Sequence, residues 1–187
     1  MRALTIDAHG GLEQIRYRDD VAAPELRTPQ DVRVRLRAVA LNRLDLWTVG
    51  GLPGVTIVPP WVLGADGCGV VESIGAAVTD LRVGERVVIN PGISCRTCEW
   101  CARGEHSLCT RFGLLGEHHP GSFAEFVVAP AANLRRIPDS VPDEVAAAFT
   151  LATLTAWRMC VTKAQVRTGE DVLIWGIGGG VAQAALR

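Results

Sequence analysis

The stretch "NPGISCRTCEWCARGEHSLC", residues 90–109, places four of the chain's six cysteines within fifteen positions. Cys95, Cys98, Cys101 and Cys109 follow the spacing C-x-x-C-x-x-C-x7-C. That spacing lets four thiolates converge tetrahedrally on one Zn2+, at about 2.3 Å per Zn–S bond. A closed set of four thiolates leaves no position for water or substrate, so such a site organises a loop and supplies folding energy without catalysing a reaction. A disulfide framework fits less well, because adjacent C-x-x-C pairs suit a metal and a cytosolic compartment is reducing. An iron–sulfur cluster shares the three-cysteine run, but Thr110 stands where proline usually follows the fourth cysteine. The expectation is one structural zinc per chain, in a lobe over residues 90–112.

On either side of the lobe the chain reads as β. In "DVRVRLRAVALN" (31–42), Val32, Val34, Leu36, Ala38 and Ala40 alternate with Arg33, Arg35 and Arg37, the period-2 pattern of a strand with one buried and one solvated face. "RVGERVVINP" (82–91) puts Gly84 in a turn before a β-branched run, and "GSFAEFVVAP" (121–130) alternates between Gly121 and Pro130. The character changes in "RRIPDSVPDEVAAAFTLATLTAWRMC" (135–160). There Ser140 can cap, Pro142 suits an early helical position, and Asp143 and Glu144 favour the N-terminal end of the helix dipole. A helix is predicted from there to about Lys163, and its apolar stretch Val145 to Trp157 reads as buried. A turn, a short apolar strand "DVLIW" (171–175) and a helix-forming end follow. The domain boundary is placed near residue 138, giving a mostly β unit over 1–138 and the start of an α/β unit over 139–187.

Composition narrows the partners. The 187 residues are 48% hydrophobic and 21% charged, with a formal net charge of −1. No field gathers nucleic acid or anionic lipid, which leaves small molecules as the expected partners. Asp7 and His9 interrupt any apolar run near the start, so a secretory signal is not expected and the cytosol is the expected compartment. The helical apolar run between Glu144 and Arg158 is shorter than the ~20 residues of a membrane span. Cys68 and Cys160, among apolar and small neighbours, read as buried structural thiols.

Gly176-Ile177-Gly178-Gly179-Gly180 follows the apolar strand and opens a helix. This is the context in which backbone amides and a helix N-terminus hold a pyrophosphate. Val181 takes the place of the third glycine in G-x-G-x-x-G.

The order of "VLGADGCGVVESIGAAVTDLRVGERVVINPG" (62–92), the cysteine lobe, "GSFAEFVVAPAANLRRIP" (121–138) and "WGIGGG" (175–180) resembles the medium-chain dehydrogenase/reductase superfamily, the zinc-type alcohol dehydrogenases in particular. The resemblance covers essentially the whole chain. It implies a GroES-like N-terminal domain that carries the substrate site and the structural zinc lobe, followed by a Rossmann domain of which only the beginning is present. It also implies NAD or NADP as cofactor and a homo-oligomer in the full-length enzyme.

In the zinc alcohol dehydrogenases of that family a second, catalytic zinc is held by an early cysteine, a histidine in a "GHE" motif and a residue near the start of the long helix. In this sequence those positions fall at Asn42, at Ala65 in Gly64-Ala65-Asp66, and near Leu151. The proton-relay positions fall at Leu44 and Trp47. The motif Asn42-x-x-Asp45 is similar to the metal-free branch, the quinone oxidoreductases and enoyl reductases. The resemblance therefore implies hydride transfer between NAD(P)H and a small carbonyl, enone or quinone. Asn42 and Asp45 are the implied catalytic pair, with Asn42 as hydrogen-bond donor; Arg43, Thr155, Gly176, Gly178, Gly179 and Gly180 face the cofactor; Trp47 shapes an apolar pocket. Two alternatives remain: a zinc-dependent alcohol dehydrogenase with atypical ligands drawn from Asp45, Asp66, His118 and His119, and a non-catalytic GroES-like module. His106 sits inside the lobe beside a thiol shell that is already full, and His118 and His119 in "GEHHPG" read as loop surface.

Overall fold

The computed structural model describes residues 1–187. Ten strands, all paired antiparallel, make three sheets. β1 (Ala3–Ile6), β2 (Arg16–Arg18) and β4 (Trp61–Val62) form a small sheet in the order β2-β1-β4. The main sheet contains β3 (Asp31–Ala40), β5 (Asp66–Ile74), β6 (Arg86–Ile89), β9 (Phe126–Pro130) and β10 (Leu134–Arg136), in the order β10-β6-β5-β3-β9. β7 (Gly92–Ile93) and β8 (Gly113–Leu114) pair at the base of the cysteine lobe.

β3 behaves as its alternation predicts. Val32 and Val34 are fully buried while Arg35 and Arg37 face solvent, and Arg33 pairs with Glu72 across the sheet at 2.6 Å. Two register shifts, at Arg33/Val34 and Leu36/Ala38, let β3 bend while it pairs with β5. The inward residues of the main sheet, among them Val32, Val34, Val71, Val87, Ile89 and Val127, build one apolar cluster that Leu115 and Leu134 complete. Gly84 adopts φ +92° in the turn before β6, a backbone angle that costs glycine no side-chain clash.

Four helices accompany the sheets. α1 (Arg43–Gly50) follows β3, α2 (Glu99–Ala102) lies inside the lobe, α3 (Asp143–Trp157) packs on the main sheet, and α4 (Gly180–Leu186) ends the chain. α3 meets β5 through small residues: Ala146 and Ala147 pack on Cys68, with Ala38, Ile137 and Val141 around them. At its first turn Asp143 accepts two hydrogen bonds from Arg86, at 2.6 and 3.2 Å, and one from the Cys68 thiol at 3.4 Å. Burial, together with Asp143, pushes Cys68 up to about 12, so it remains a thiol.

The C-terminal region departs from the sequence expectations in six ways. Pro142, not Ser140, holds the N-cap position of α3, and no side chain caps it. Arg86 holds the approach to the helix, donating to the carbonyls of Pro138, Asp139 and Val141. The α-helical geometry stops at Trp157 and continues as a π-type turn through Lys163. The helix is not buried all round: Ala146, Ala147, Thr150 and Ala156 are covered, whereas Val145, Phe149, Leu154 and Trp157 are exposed, because the main sheet and the short α4 cover only part of its circumference. Counted through Lys163 it has 21 residues, long and apolar enough by length and composition to cross a membrane, which the shorter run bounded by Glu144 and Arg158 concealed. Finally, "DVLIW" forms no strand, for want of a neighbour to complete its ladder, and Cys160 is half-buried on the π-type turn.

Candidate functional site

Two constellations carry chemistry. The first is the lobe. The sulfur atoms of Cys95, Cys98, Cys101 and Cys109 all lie within 4.8 Å of one another, and no other group of three or more metal-binding side chains comes together in the chain. The surrounding backbone suits thiolates. The amides of Cys95 and Arg111 donate to the Cys109 sulfur, and the amide of Cys98 donates to the Cys95 sulfur, each at 3.3 Å. The Thr97 hydroxyl donates to Cys95 at 3.6 Å. The Thr97 amide pulls the Cys95 thiol below its ordinary value, the Cys101 amide does the same for Cys98, and burial pushes Cys101 up. Four sulfur donors at one point, with amides aimed at them, fit a single tetrahedral ion. His106 is exposed on the lobe surface.

The lobe is anchored to α3. Glu105 lies between Cys101 and Cys109, and its carboxylate accepts from Arg158 and, at 3.0 Å, from Lys163 on the π-type turn. Both cations hold the Glu105 carboxyl below its ordinary range, Arg158 more strongly.

The second constellation lies where α1, β5 and α3 meet. Asn42 holds the N-cap position of α1, extended at φ −129° and ψ 157°, so its side chain leaves the helix toward β5. Its backbone N–H donates to Asp45 Oδ2 at 2.6 Å, one half of a capping box. Its side-chain amide donates to Asp66 Oδ2 at 3.0 Å and, more weakly, to the Ala40 carbonyl at 3.4 Å. Asp66 opens β5 and is 1% exposed. Its other oxygen accepts the Thr150 hydroxyl at 2.6 Å and the Leu151 amide at 2.9 Å. Burial raises both carboxyls: Asp45 is pushed up to about 6 despite the Asn42 amide, and Asp66 is raised against the opposing pull of its three donors.

Asp66 is reached through a tight turn. Gly64 adopts φ +96°, and a Cβ there would stand 2.2 Å from the Phe123 ring. Gly116 and Gly121 press on the same point, their would-be Cβ atoms 2.6 and 2.2 Å from the Gly64 carbonyl oxygen.

The structure thus brings Asn42, Asp45, Ala65, Asp66 and Leu151 to one place and leaves other sequence candidates outside it. Arg43 is exposed at the start of α1, and Trp47 is 55% exposed. Thr155 is exposed and donates its hydroxyl back to the Leu151 carbonyl at 2.7 Å. Gly176, with φ +77°, Gly178, Gly179 and Gly180 form an exposed turn at the start of α4. His118 is exposed, and His119 is half-buried with its pKa lowered by burial. Thr150 was not singled out by sequence. Its one signal is a hydroxyl on an otherwise apolar helical stripe, which gains meaning only opposite Asp66.

A β fold with a four-thiolate lobe ahead of a strand-poor helical end defines a GroES-like domain of the dehydrogenase kind. Residues 28–139 match the profile of the alcohol dehydrogenase GroES-like domain, and the chain belongs to that family, as the N-terminal portion of a medium-chain dehydrogenase/reductase. It is similar to an L-threonine 3-dehydrogenase of Rhizobium rhizogenes, 39% identical over 87% of this chain and 46% of the relative. It is also similar to an alcohol dehydrogenase of Schizosaccharomyces pombe, 33% identical over 99% of this chain and 52% of the relative. Among solved structures, one titled as an NAD-dependent alcohol dehydrogenase is 48% identical, with a TM-score of 0.94 over 100% of this chain and 54% of its own. A quinone oxidoreductase of Pseudomonas syringae is 33% identical, with a TM-score of 0.77 over 98% of this chain and 48% of its own. The chain spans about half the length of the curated relatives it matches.

Proposed function

We propose that this chain is the substrate-side half of an NAD(P)-dependent oxidoreductase that moves a hydride between the nicotinamide and a small carbonyl, enone or quinone, with one structural zinc and no catalytic zinc. The carrying observation is the state of Asp66. At the three places where zinc alcohol dehydrogenases hold a catalytic metal stand Asn42, Ala65 and Leu151, and the adjacent carboxylate already accepts three hydrogen bonds. A cation there would have to displace the donors that keep Asp66 in place.

When bound, the nicotinamide cofactor supplies or takes the hydride. The chain's own residues orient and polarise. Asn42 turns its amide toward the reacting oxygen, and its 3.4 Å bond to Ala40 is the one a substrate oxygen would replace. Asp45 fixes the Asn42 backbone from the other side. Thr155 and Arg43 lie on the elements that would meet the cofactor, and Gly176 to Gly180 would receive its pyrophosphate. Cys95, Cys98, Cys101 and Cys109 would hold the zinc that fixes the lobe. Residues 139–187 are assigned to the nucleotide-binding unit, and the cytosol is the compartment proposed.

A second reading, a zinc-dependent alcohol dehydrogenase with atypical ligands, draws on the names of the relatives. Elemental analysis of the purified chain, with Cys98→Ser as control, separates the two. One zinc, lost in the control, supports the proposal. Two zincs, one of which survives the control, would return the chain to alcohol dehydrogenation through a second metal.

A further inference from the structure

Asp66 joins more of the molecule than any other polar side chain near the site. It sits at the first residue of β5, 1% exposed, and both its oxygens are used. Oδ2 accepts from Asn42 on α1; Oδ1 accepts from Thr150 and from the Leu151 amide on α3. The Leu151 donor is a main-chain group in the middle of a 15-residue helix, so the bond fixes α3 along its axis and not only through a rotatable side chain. The carbonyl of the same residue then accepts the Thr155 hydroxyl one turn on. A continuous line of hydrogen bonds therefore runs from Asn42 through Asp66 and Leu151 to Thr155.

We infer that Asp66 is a positioning residue that sets the placement of Asn42 relative to Thr155, and so of the substrate relative to the nicotinamide. The inference rests on the proposed function, in which Asn42 faces the substrate and Thr155 the cofactor. Apolar packing between α3 and β5 does not set this placement by itself. At the centre of the seam Ala146 and Ala147 meet Cys68, small side chains that bring the helix close to β5, with Ala38, Ile137 and Val141 around them. The Asp143–Arg86 pair ties the first turn of α3, and the charge-assisted hydrogen bonds to buried Asp66 fix the helix two turns further on, beside the site, where a displacement near 1 Å at a reacting pair costs about 100-fold in rate.

The test has two arms. In this chain, backbone and side-chain amide hydrogen exchange is followed by NMR in Asp66→Asn, Thr150→Val and Thr150→Ser. Asp66→Asn should speed exchange at the Leu151 amide and the Asn42 side chain at least about tenfold while the Val34 and Ile89 amides keep their protection. Unchanged exchange at Leu151 and Asn42 would overturn the inference. In the whole enzyme, with its nucleotide-binding half, Thr150→Val should lower kcat by about 10- to 100-fold with the KM for the nicotinamide cofactor unchanged, and Thr150→Ser should restore it. A tolerated valine with a damaging serine would mean that the position only fills space, and would also overturn the inference. A wild-type enzyme that transfers no hydride overturns the proposed function, whereas an active wild type with an Asp66→Asn variant of equal kcat overturns only the role of Asp66.

Discussion

Residues 1–138 and 139–187 have similar apolar content and opposite fates. All but four of the 44 buried residues lie in the first region; the four in the second are Ala146, Ala147, Thr150 and Ala156, of which Ala146, Ala147 and Thr150 meet the sheet at Cys68 and Asp66. The contrast is sharpest between two stretches that both open on aspartate and carry β-branched residues. In β5, "DGCGVVESI" lies between β3 and β6, and Cys68 and Val71 are sealed. In 171–175, "DVLIW" has no strand on either side, and Leu173 and Trp175 are 87% and 90% exposed. Strand propensity selects which segments can pair, but the ladder and the covering layer turn that capacity into structure.

The largest effect that could break this contrast is metal loss. The lobe belongs to the first region, but apart from Cys101 and Cys109 it buries little, so its order should depend on its ion. Structural zinc sites bind with about 10–16 kcal/mol of apparent free energy near neutral pH. Chelation, or Cys98→Ser, should remove one zinc per chain and strip hydrogen-exchange protection from residues 92–114 while β3 and β5 keep theirs. Collapse of the main sheet along with the lobe would show that the first region is not held by its apolar cluster.

A paired substitution comes next. Ile89→Ala should cost about 2–5 kcal/mol in urea unfolding, since it empties part of the fully buried cluster. Leu173→Ala should change stability by less than about 0.5 kcal/mol. Equal costs would mean that the second region is packed in solution in a way the contrast excludes.

The third effect is a pH dependence on the order of 2 kcal/mol from Asp45. Its folded value, about 6, lies above its ordinary 3.8. The associated stability is present below the unfolded value and is lost as pH rises through 6. Asp45→Asn should flatten this slope in pH-dependent thermal unfolding; a slope that persists would assign it to another group. The smallest effect concerns the seam between the regions. Arg86→Ala should loosen the first turn of α3 without moving the urea midpoint of the main sheet, read as faster exchange near Ala146 and Ala147. Asp143, which Arg86 holds below its ordinary value, gives the seam the opposite sign to Asp45: its contribution is present above the unfolded carboxyl value and lost as pH falls through the folded one.

What was legible in the sequence was local. The alternation of β3, the turn at Gly84 and the C-x-x-C-x-x-C run are each read within a dozen residues, and each formed as read. The failures were all questions of partnership. Ser140 had the chemistry of a cap, but the N-cap position falls two residues further on, and the segment before it is held through its carbonyls by Arg86, more than fifty residues away. The apolar helix looked buried because sequence cannot say how many layers cover it. Asp66 was visible as a carboxylate in an apolar run, yet its donors lie 24, 84 and 85 residues away, so its role could be read only from the fold.

The glycines at 64, 116 and 121 have a consequence for how this domain could be rebuilt. Three separate passes of the chain are stacked there main chain on main chain, with Gly64 at the entrance to Asp66 and Gly116 just past the end of the lobe. Because no side chain stands between them, the lobe and the carboxylate share a riveted joint with no slack. A foreign loop grafted between β7 and β8 could replace the interior of the lobe, provided Ile93 and Leu115 stay to complete the main apolar cluster. It would still have to leave through a residue with no Cβ, since even one methyl group at that rivet would pry the cassette away from the turn that carries Asp66.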